Sequence, residues 1–280
     1  MGRRPSSTWN TVMDELLTTL SLFRYALAGI VLVSFICSYL GVYIVLKRII
    51  FVGVAIAQIS SMGVAFAFLI GLPPMIFSLL FTLLGMLGMS TRPGGKKLSQ
   101  ESIIGLGFIA ASAITILMMA KSAVGLHEIE HVVYGDILAI SPLQVYIALG
   151  VVATIITIHL LFYKEFVFVS FDYDMARALG IKAALWNLLL YLTIGAAIAI
   201  GIMIAGNMMV TSAIILPAIN GLVLSRRMRM VFIISSIQGV ATATIAFFLS
   251  YLLDIPYGPT AAASSFVTLG FSFIAFKLRG

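Results

Sequence analysis

The stretch LWNLLLYLTIGAAIAIGIMIAGNMMVTSAIILPAINGLVL, residues 185–224, carries no charged side chain in forty consecutive positions. A helix needs about 20 apolar residues to cross the hydrocarbon core of a bilayer, because each residue adds about 1.5 Å. Forty such residues therefore predict two successive membrane spans, which we place at 183–205 and 208–224. Pro217 predicts a kink or a break in the second of them.

The whole chain has the same character. It has 280 residues, of which 61% are hydrophobic and only 10% charged, with a mean hydropathy of +1.15. A soluble domain carries about 25% charged residues, so we predict an all-α, polytopic integral membrane protein in a lipid bilayer. We treat 1–280 as a single transmembrane domain and residues 1–21 as an amphipathic segment on the membrane surface. The apolar runs predict about nine spans: 22–46, 49–71, 74–90, 102–120, 142–163, 183–205, 208–224, 230–253 and 260–276.

Charge sets the expected orientation. Most of the 17 basic residues fall in alternate loops, and an excess of Lys and Arg marks loops that stay in the cytoplasm. This placement explains the net charge of +7, so no nucleic-acid partner is expected. Proton-driven carriers keep ionisable groups at membrane depth. Here all ten acidic residues lie at predicted span ends or in loops, which does not favour that class of carrier. If the protein moves a solute uphill, the energy should come from another molecule.

The segment 164–182 is the longest loop on the predicted cytoplasmic side. Within it, DYDMARALGIK predicts a short helix that Asp172 caps, with Asp174 in its first turn and Gly180 at its end. A rigid helix of mixed charge between two spans suits docking against a cytoplasmic partner. An ordinary solvated linker is the alternative.

Several motifs together resemble one family. FDYDMARALGI is similar to the coupling helix of permease subunits of ATP-binding-cassette (ABC) importers that take up zinc, manganese or iron. The segments LGVYIVLKRIIFVGVAIAQISSMG, ESIIG, YGDILAIS, GNMMVTSAIILPAING and SYLLDIPYGPT resemble further parts of the family, in the same order. The matches run from about residue 30 to residue 262.

The resemblance implies a transporter subunit that is not itself an enzyme, in the plasma (inner) membrane of a prokaryote. It implies a homodimer, a cytoplasmic ABC ATPase that binds ATP, and an extracytoplasmic substrate-binding protein. A divalent metal would be substrate, and no cofactor would be permanently bound. PGGKKLS at 93–99 lacks the leading glycine and the Ser/Thr of a phosphate loop, which also assigns ATP to a partner chain. Coupling to the ATPase would fall to Glu165, Asp172, Asp174, Arg177 and Gly180.

One departure from the family concerns the second span. Many members carry there an Asp and a His, four residues apart, which ligate the metal in transit; the matching residues here are Val54 and Gln58. Valine cannot ligate, and an amide is a poor zinc ligand. The same architecture could therefore carry a chelated or non-metal cargo. Gln58, Ser60 and Ser61 either line a polar translocation path or join helices by hydrogen bonds.

The sequence HEIEH at 127–131 has the spacing of a zinc site. His127, Glu130 and His131 would share one side of a helix on the external face, with Glu128 beside them. Three interpretations stay open: a site that captures metal at the external mouth, a polar loop, or a membrane-embedded HExxH zinc protease. The protease would use Glu128 as general base and needs a third ligand, but no other histidine lies outside the spans.

Overall fold

The structure is a computed structural model that describes residues 23–90, 100–122 and 140–279, and every regular element in these ranges is a helix. The predicted membrane-surface segment 1–21 lies outside them. We number the ten helices in chain order: α1 (Arg24–Leu46), α2 (Ile50–Ile70), α3 (Pro74–Ser90), α4 (Gln100–Lys121), α5 (Pro142–Leu161), α6 (Tyr163–Phe171), α7 (Tyr173–Ala178), α8 (Ala183–Leu224), α9 (Met228–Leu253) and α10 (Tyr257–Arg279).

Six of these helices are long and apolar enough to cross a membrane: α1, α2, α4, α5, α8 and α9. α3 is apolar but shorter. Each predicted span overlaps one helix or one half of α8, and the ends of α2, α3 and α9 agree within about two residues. The all-helical, membrane-spanning class is confirmed, whereas the count of nine crossings stays a prediction.

α8 has 42 residues and would be about 63 Å long if it were straight, twice the thickness of a bilayer core. Its helical dihedrals are interrupted at Gly206, where φ is 79° and ψ is 165°. A Cβ atom added to Gly201 would lie 2.7 Å from Val210 Cγ2, although a continuous helix would separate these residues by about 13 Å. The chain therefore folds back at Gly206. Pro217 keeps helical dihedrals, so the predicted break lies at the glycine and not at the proline.

Small residues let the helices approach closely at the centre of the bundle. A Cβ atom on Gly41 of α1 would lie 1.9 Å from the carbonyl oxygen of Ile214 in α8. A Cβ atom on Gly63 of α2 would lie 2.4 Å from the carbonyl oxygen of Phe77 in α3. Such contacts replace the hydrophobic effect as the force between helices in lipid. α1, packed against α8 and α9, forms the middle of the protein.

The segment after α5 differs from the sequence-based expectation. Residues 163–171 (YKEFVFVSF) form helix α6, whereas only the following stretch was expected to be helical. FVFVS alternates large and small apolar side chains, a pattern that does not distinguish a helix from a strand. Its buried residues Phe166 and Val169 lie three apart, which is the spacing of one helix face. Packing against the bundle therefore decides the conformation here.

Candidate functional site

A pair of amides links α2 to the break in α8. Asn207, the first residue after Gly206, donates from Nδ2 to Oε1 of Gln58 at 2.8 Å. The Oδ1 atom of Asn207 is buried and accepts no hydrogen bond within the part of the chain that the structure describes. A buried carbonyl oxygen without a donor is costly, so this atom offers an open acceptor beside the fold-back of α8.

Of the two serines that the sequence singled out with Gln58, Ser60 bonds to another helix and Ser61 bonds within α2. Ser60 Oγ is 2.8 Å from Ser78 Oγ of α3, and Ser78 donates to the carbonyl oxygen of Ala199 at 3.4 Å. Ser61 donates to the carbonyl oxygen of Ala57 within its own helix. The geometry therefore favours a helix-joining role for Ser60, whereas the hydroxyl of Ser61 is bonded within α2 and joins no second helix. Gln58 is only partly buried, whereas both serines are fully buried.

Val54 lines a cavity of about 530 Å³ between α2 and α4. Among the described residues that line it, Glu101, in the first turn of α4, is the only one with a carboxylate. Within residues 23–90, 100–122 and 140–279, no three His, Cys, Asp or Glu side chains are grouped closely enough to hold a metal. The described residues therefore offer no set of strong ligands for a dehydrated metal ion. The predicted external cluster His127, Glu128, Glu130 and His131 lies outside them.

α7 occurs where the sequence predicts a short helix. Asp172 is its N-cap and accepts a hydrogen bond from the backbone N–H of Met175 at 2.9 Å. At the other end, Ile181 N–H donates to Ala176 O and Gly180 N–H to Arg177 O, which is a Schellman motif. Gly180 has φ of 79°, a conformation that favours glycine. Both ends of α7 are thus closed by its own residues.

α7 has one anchored side and one open side. Ala176 is fully buried and packs with Val169 and Ala183. The polar residues predicted for coupling, Asp172, Asp174 and Arg177, are exposed, and Glu165 is half-buried in the first turn of α6. Four large apolar side chains are also exposed here, with Leu179 at 63%: Phe171, Tyr173, Met175 and Leu179. Rigid surfaces that mix exposed apolar and charged side chains are typical of protein–protein contacts.

A buried histidine of α5 packs helix α6 against the bundle. His159 near the end of α5 stacks on Phe166 of α6, with ring centroids 4.2 Å apart and planes 5° apart. Its Nε2 is 3.0 Å from Oγ1 of Thr193 in α8, and that hydroxyl donates to Leu190 O. The imidazole must therefore donate from Nε2. Tyr43 of α1 contacts the same ring at 5.2 Å, so His159 joins α6 to three long helices.

A lysine forms a second link between α1 and this segment. Lys47, just after the end of α1, donates from Nζ to the carbonyl oxygen of Val169 in α6 at 3.4 Å. No carboxylate pairs with it in the part of the chain that the structure describes. Burial lowers the pKa of its ammonium to about 8, because the charged form loses solvation.

Sequence reasoning missed Asn207 and Ser78 and gave His159 no role. Ser78 and His159 lie inside predicted spans and Asn207 lies between two of them, and polar side chains within such apolar stretches are rare enough to indicate function or helix contact. The position of Asn207 directly after a glycine within forty uncharged residues was the available signal. What no pattern revealed was its partner, which lies 149 positions away.

Comparison with known proteins gives consistent matches over most of the chain. Residues 19–276 match the profile of the ABC 3 transport family. The manganese transport system membrane protein MntC of Halalkalibacterium halodurans is 26% identical over 93% of this chain and 89% of that protein. The manganese import system permease protein ScaB of Streptococcus gordonii is 25% identical over 91% of each chain.

A solved structure shares the fold. PsaBC from Streptococcus pneumoniae, determined in complex with a Fab, superposes with a TM-score of 0.84 over 93% of this chain and 95% of the matched chain. The two sequences are 23% identical, so this likeness establishes the arrangement of helices.

Proposed function

The chain belongs to the ABC 3 transport family, and from this premise we propose that it is the membrane-spanning permease subunit of an ATP-driven importer of divalent metal ions. The helices that can cross a membrane would form the path, and a separate cytoplasmic ATPase would supply the energy. The chain would lie in the plasma membrane of a prokaryote. The observation that carries the proposal is the anchored but outward-facing helix α7.

α7 is suited to transmit the motion of an ATPase. Its caps and the buried Ala176 hold it rigidly, while Met175 and Leu179 on its other side are exposed. Force applied to it reaches the bundle through the His159–Phe166 stack and the Lys47–Val169 hydrogen bond. Rigid contacts of this kind couple two sites when both bias the same conformational change.

The cargo follows from the relatives. Two of them are named manganese transport or import proteins, so we propose manganese as the first metal to test. Gln58 and Asn207 would line the path, although neither is a strong ligand. We further propose that two copies of the chain assemble around this path and receive the ion from an external binding protein. The cluster His127, Glu128, Glu130 and His131 would act where the ion is handed over.

The test is reconstitution of the permease with its cognate ATPase and binding protein in vesicles that contain ATP on the ATPase side. We expect manganese to accumulate only when all three proteins are present. The variants Met175→Glu and Leu179→Glu should lose binding of the ATPase, because each puts a charge into the apolar contact. Leu252→Glu is the matched control. Leu252 is 73% exposed near the C-terminal end of α9, whereas the N-terminal part of α9 contacts α6.

The outcomes separate the parts of the proposal. Accumulation by the lone permease, or cleavage of a peptide by it, would contradict the assignment as an ATP-driven subunit. Full binding of the ATPase by both α7 variants would contradict the docking role of α7 and leave the family assignment intact. Accumulation of a metal other than manganese would change the cargo only.

A further inference from the structure

We propose that a groove between α1, α5 and α9 binds an anionic phospholipid, with one acyl chain in the groove and the phosphate on Arg229. The inference rests on the orientation of the proposed function, in which the loops at 164–182 and 225–227 face the cytoplasm. Its evidence is a different surface from the translocation path and from α7.

The groove has an apolar floor and an open rim. Its volume is about 550 Å³, within the roughly 300–1,000 Å³ of ordinary ligand sites. The rings of Tyr39 and Phe232 form a nearly buried floor, with centroids 4.9 Å apart. Leu160, Ile233 and Ile237 line the rim and are at least half exposed, with Ile237 at 65%. This surface is shaped to receive a hydrocarbon chain from the side.

One end of the groove is cationic. Arg229, in the first turn of α9, lines it together with Tyr163. No carboxylate pairs with the Arg229 guanidinium in the described ranges 23–90, 100–122 and 140–279. Arg226 and Arg227, in the short connection before α9, are also exposed but do not line the groove. An unpaired guanidinium at the mouth of an apolar groove is complementary to a phosphate followed by a hydrocarbon chain.

The direction of the groove matches a lipid of the inner leaflet. From Arg229 to Ile237, α9 advances eight residues, about 12 Å towards the bilayer centre. Arg and Tyr are typical of the level of the head groups, where the charged or hydroxyl end reaches water. The cytoplasmic leaflet carries anionic lipids, and basic pockets between membrane helices on that side bind their head groups. Charge, depth and shape therefore point to the same occupant.

A lipid chain in the groove would affect the residues that hold α6 in place. Tyr39 and Phe232, the floor of the groove, lie under the cluster that holds α6 in place. Tyr39 contacts His159 at 5.8 Å, and Phe232 contacts Tyr163 at 5.9 Å. A chain in the groove would hold these rings in their present positions.

The experiment uses the full-length permease in nanodiscs. The probes are phosphatidylglycerol and phosphatidylcholine that carry the same photoreactive acyl chain, and labelled peptides are identified by mass spectrometry. We expect phosphatidylglycerol to label the peptides around Leu160 and 233–237 more strongly than phosphatidylcholine does. Arg229→Gln should reduce this labelling about fivefold. Ile237→Trp should reduce it by filling the groove from the exposed rim, whereas Arg226→Gln should leave it unchanged.

Equal labelling by the two lipids, or labelling that Arg229→Gln does not change, would overturn the proposal. Cross-linking of an Ile237→Cys variant to a second copy or to residues 1–22, with no lipid label in the groove, would also overturn it and identify another occupant. Labelling needs neither ATP nor metal. A failure of the transport proposal would therefore leave this result unaffected.

Discussion

Asn207 Nδ2 lies 2.8 Å from Gln58 Oε1, and this hydrogen bond joins the fold-back of α8 to the middle of α2. Hydrogen bonds between membrane helices contribute about 0.6 kcal/mol on average and up to about 1.7 kcal/mol. We expect Asn207→Leu and Gln58→Leu to lower stability non-additively, with a coupling energy in this range. A double-mutant cycle of unfolding in detergent measures it. Pairing Asn207→Leu with Ser112→Ala is the control, since Ser112 bonds within α4 and should give additive effects.

Gly206 should tolerate no side chain. Its φ of 79° and ψ of 165° lie in a region that is almost restricted to glycine, and an L-residue there costs about 1–3 kcal/mol. Gly206→Ala should therefore lower the thermal stability of the purified protein and its transport. Gly150→Ala is the matched control, because Gly150 is helical and a Cβ atom there meets nothing within 4 Å. Equal effects of the two substitutions would contradict the fold-back at Gly206.

The cap of α7 should be required for coupling to the ATPase. Asp172→Ala removes the acceptor for Met175 N–H and should cost about 0.5–2 kcal/mol of local stability. We expect weaker substrate-stimulated ATP hydrolysis in the assembled transporter, with normal membrane insertion. Asp172→Asn keeps the acceptor and should restore stimulation. Equal loss in both variants would show that the charge of Asp172 matters and not the cap.

Lys47 should make stability depend on pH. Its pKa is about 8 in the folded protein, below the 10.5 of a solvated lysine, because burial penalises the charge. Between these values the unfolded chain binds the extra proton, so stability should rise as pH increases from about 8 to 10.5. Below pH 8 the penalty is complete and constant.

The comparison for Lys47 is a Lys47→Met variant, measured by thermal unfolding from pH 7 to pH 10.5. The variant should lack this rise and should differ least from the wild type at the alkaline end. A parallel pH dependence in both proteins would contradict the assignment to Lys47.

For the HEIEH motif at 127–131, which the sequence places on the external face, metal capture stays a prediction. Replacing both His127 and His131 by Ala removes the imidazole ligands and should lower uptake at limiting manganese. Assembly with the ATPase should be unaffected and serves as the control. Undiminished uptake would leave a solvated loop as the interpretation.

Sequence patterns predicted the positions of the helices well. A long uncharged run forms a helix in lipid, because a helix bonds every backbone polar group within the same segment. The boundary expected between 205 and 208 falls at Gly206, and Asp172 and Gly180 end α7 as their residue types predict. These features depend on local chemistry, which a single sequence contains.

The contacts between helices were not predictable in the same way. Nothing in the stretch around Gln58 indicates that Asn207 is its partner, and nothing in HLLFYKEF indicates that His159 stacks on Phe166. In lipid, all sides of a helix are apolar, so periodicity does not identify the buried side. The helical state of α6 depends on the same packing.

Because α8 reverses at a single residue, the chain next to Gly206 should not accept inserted or deleted residues. A loop would absorb an inserted residue, but Gly206 is followed at once by helix. One insertion would rotate 207–224 by about 100° about its axis and turn Asn207 away from Gln58. Length differences among natural homologues should therefore accumulate at the termini and between the other helices, while the spacing from Gly201 to Val210 stays constant.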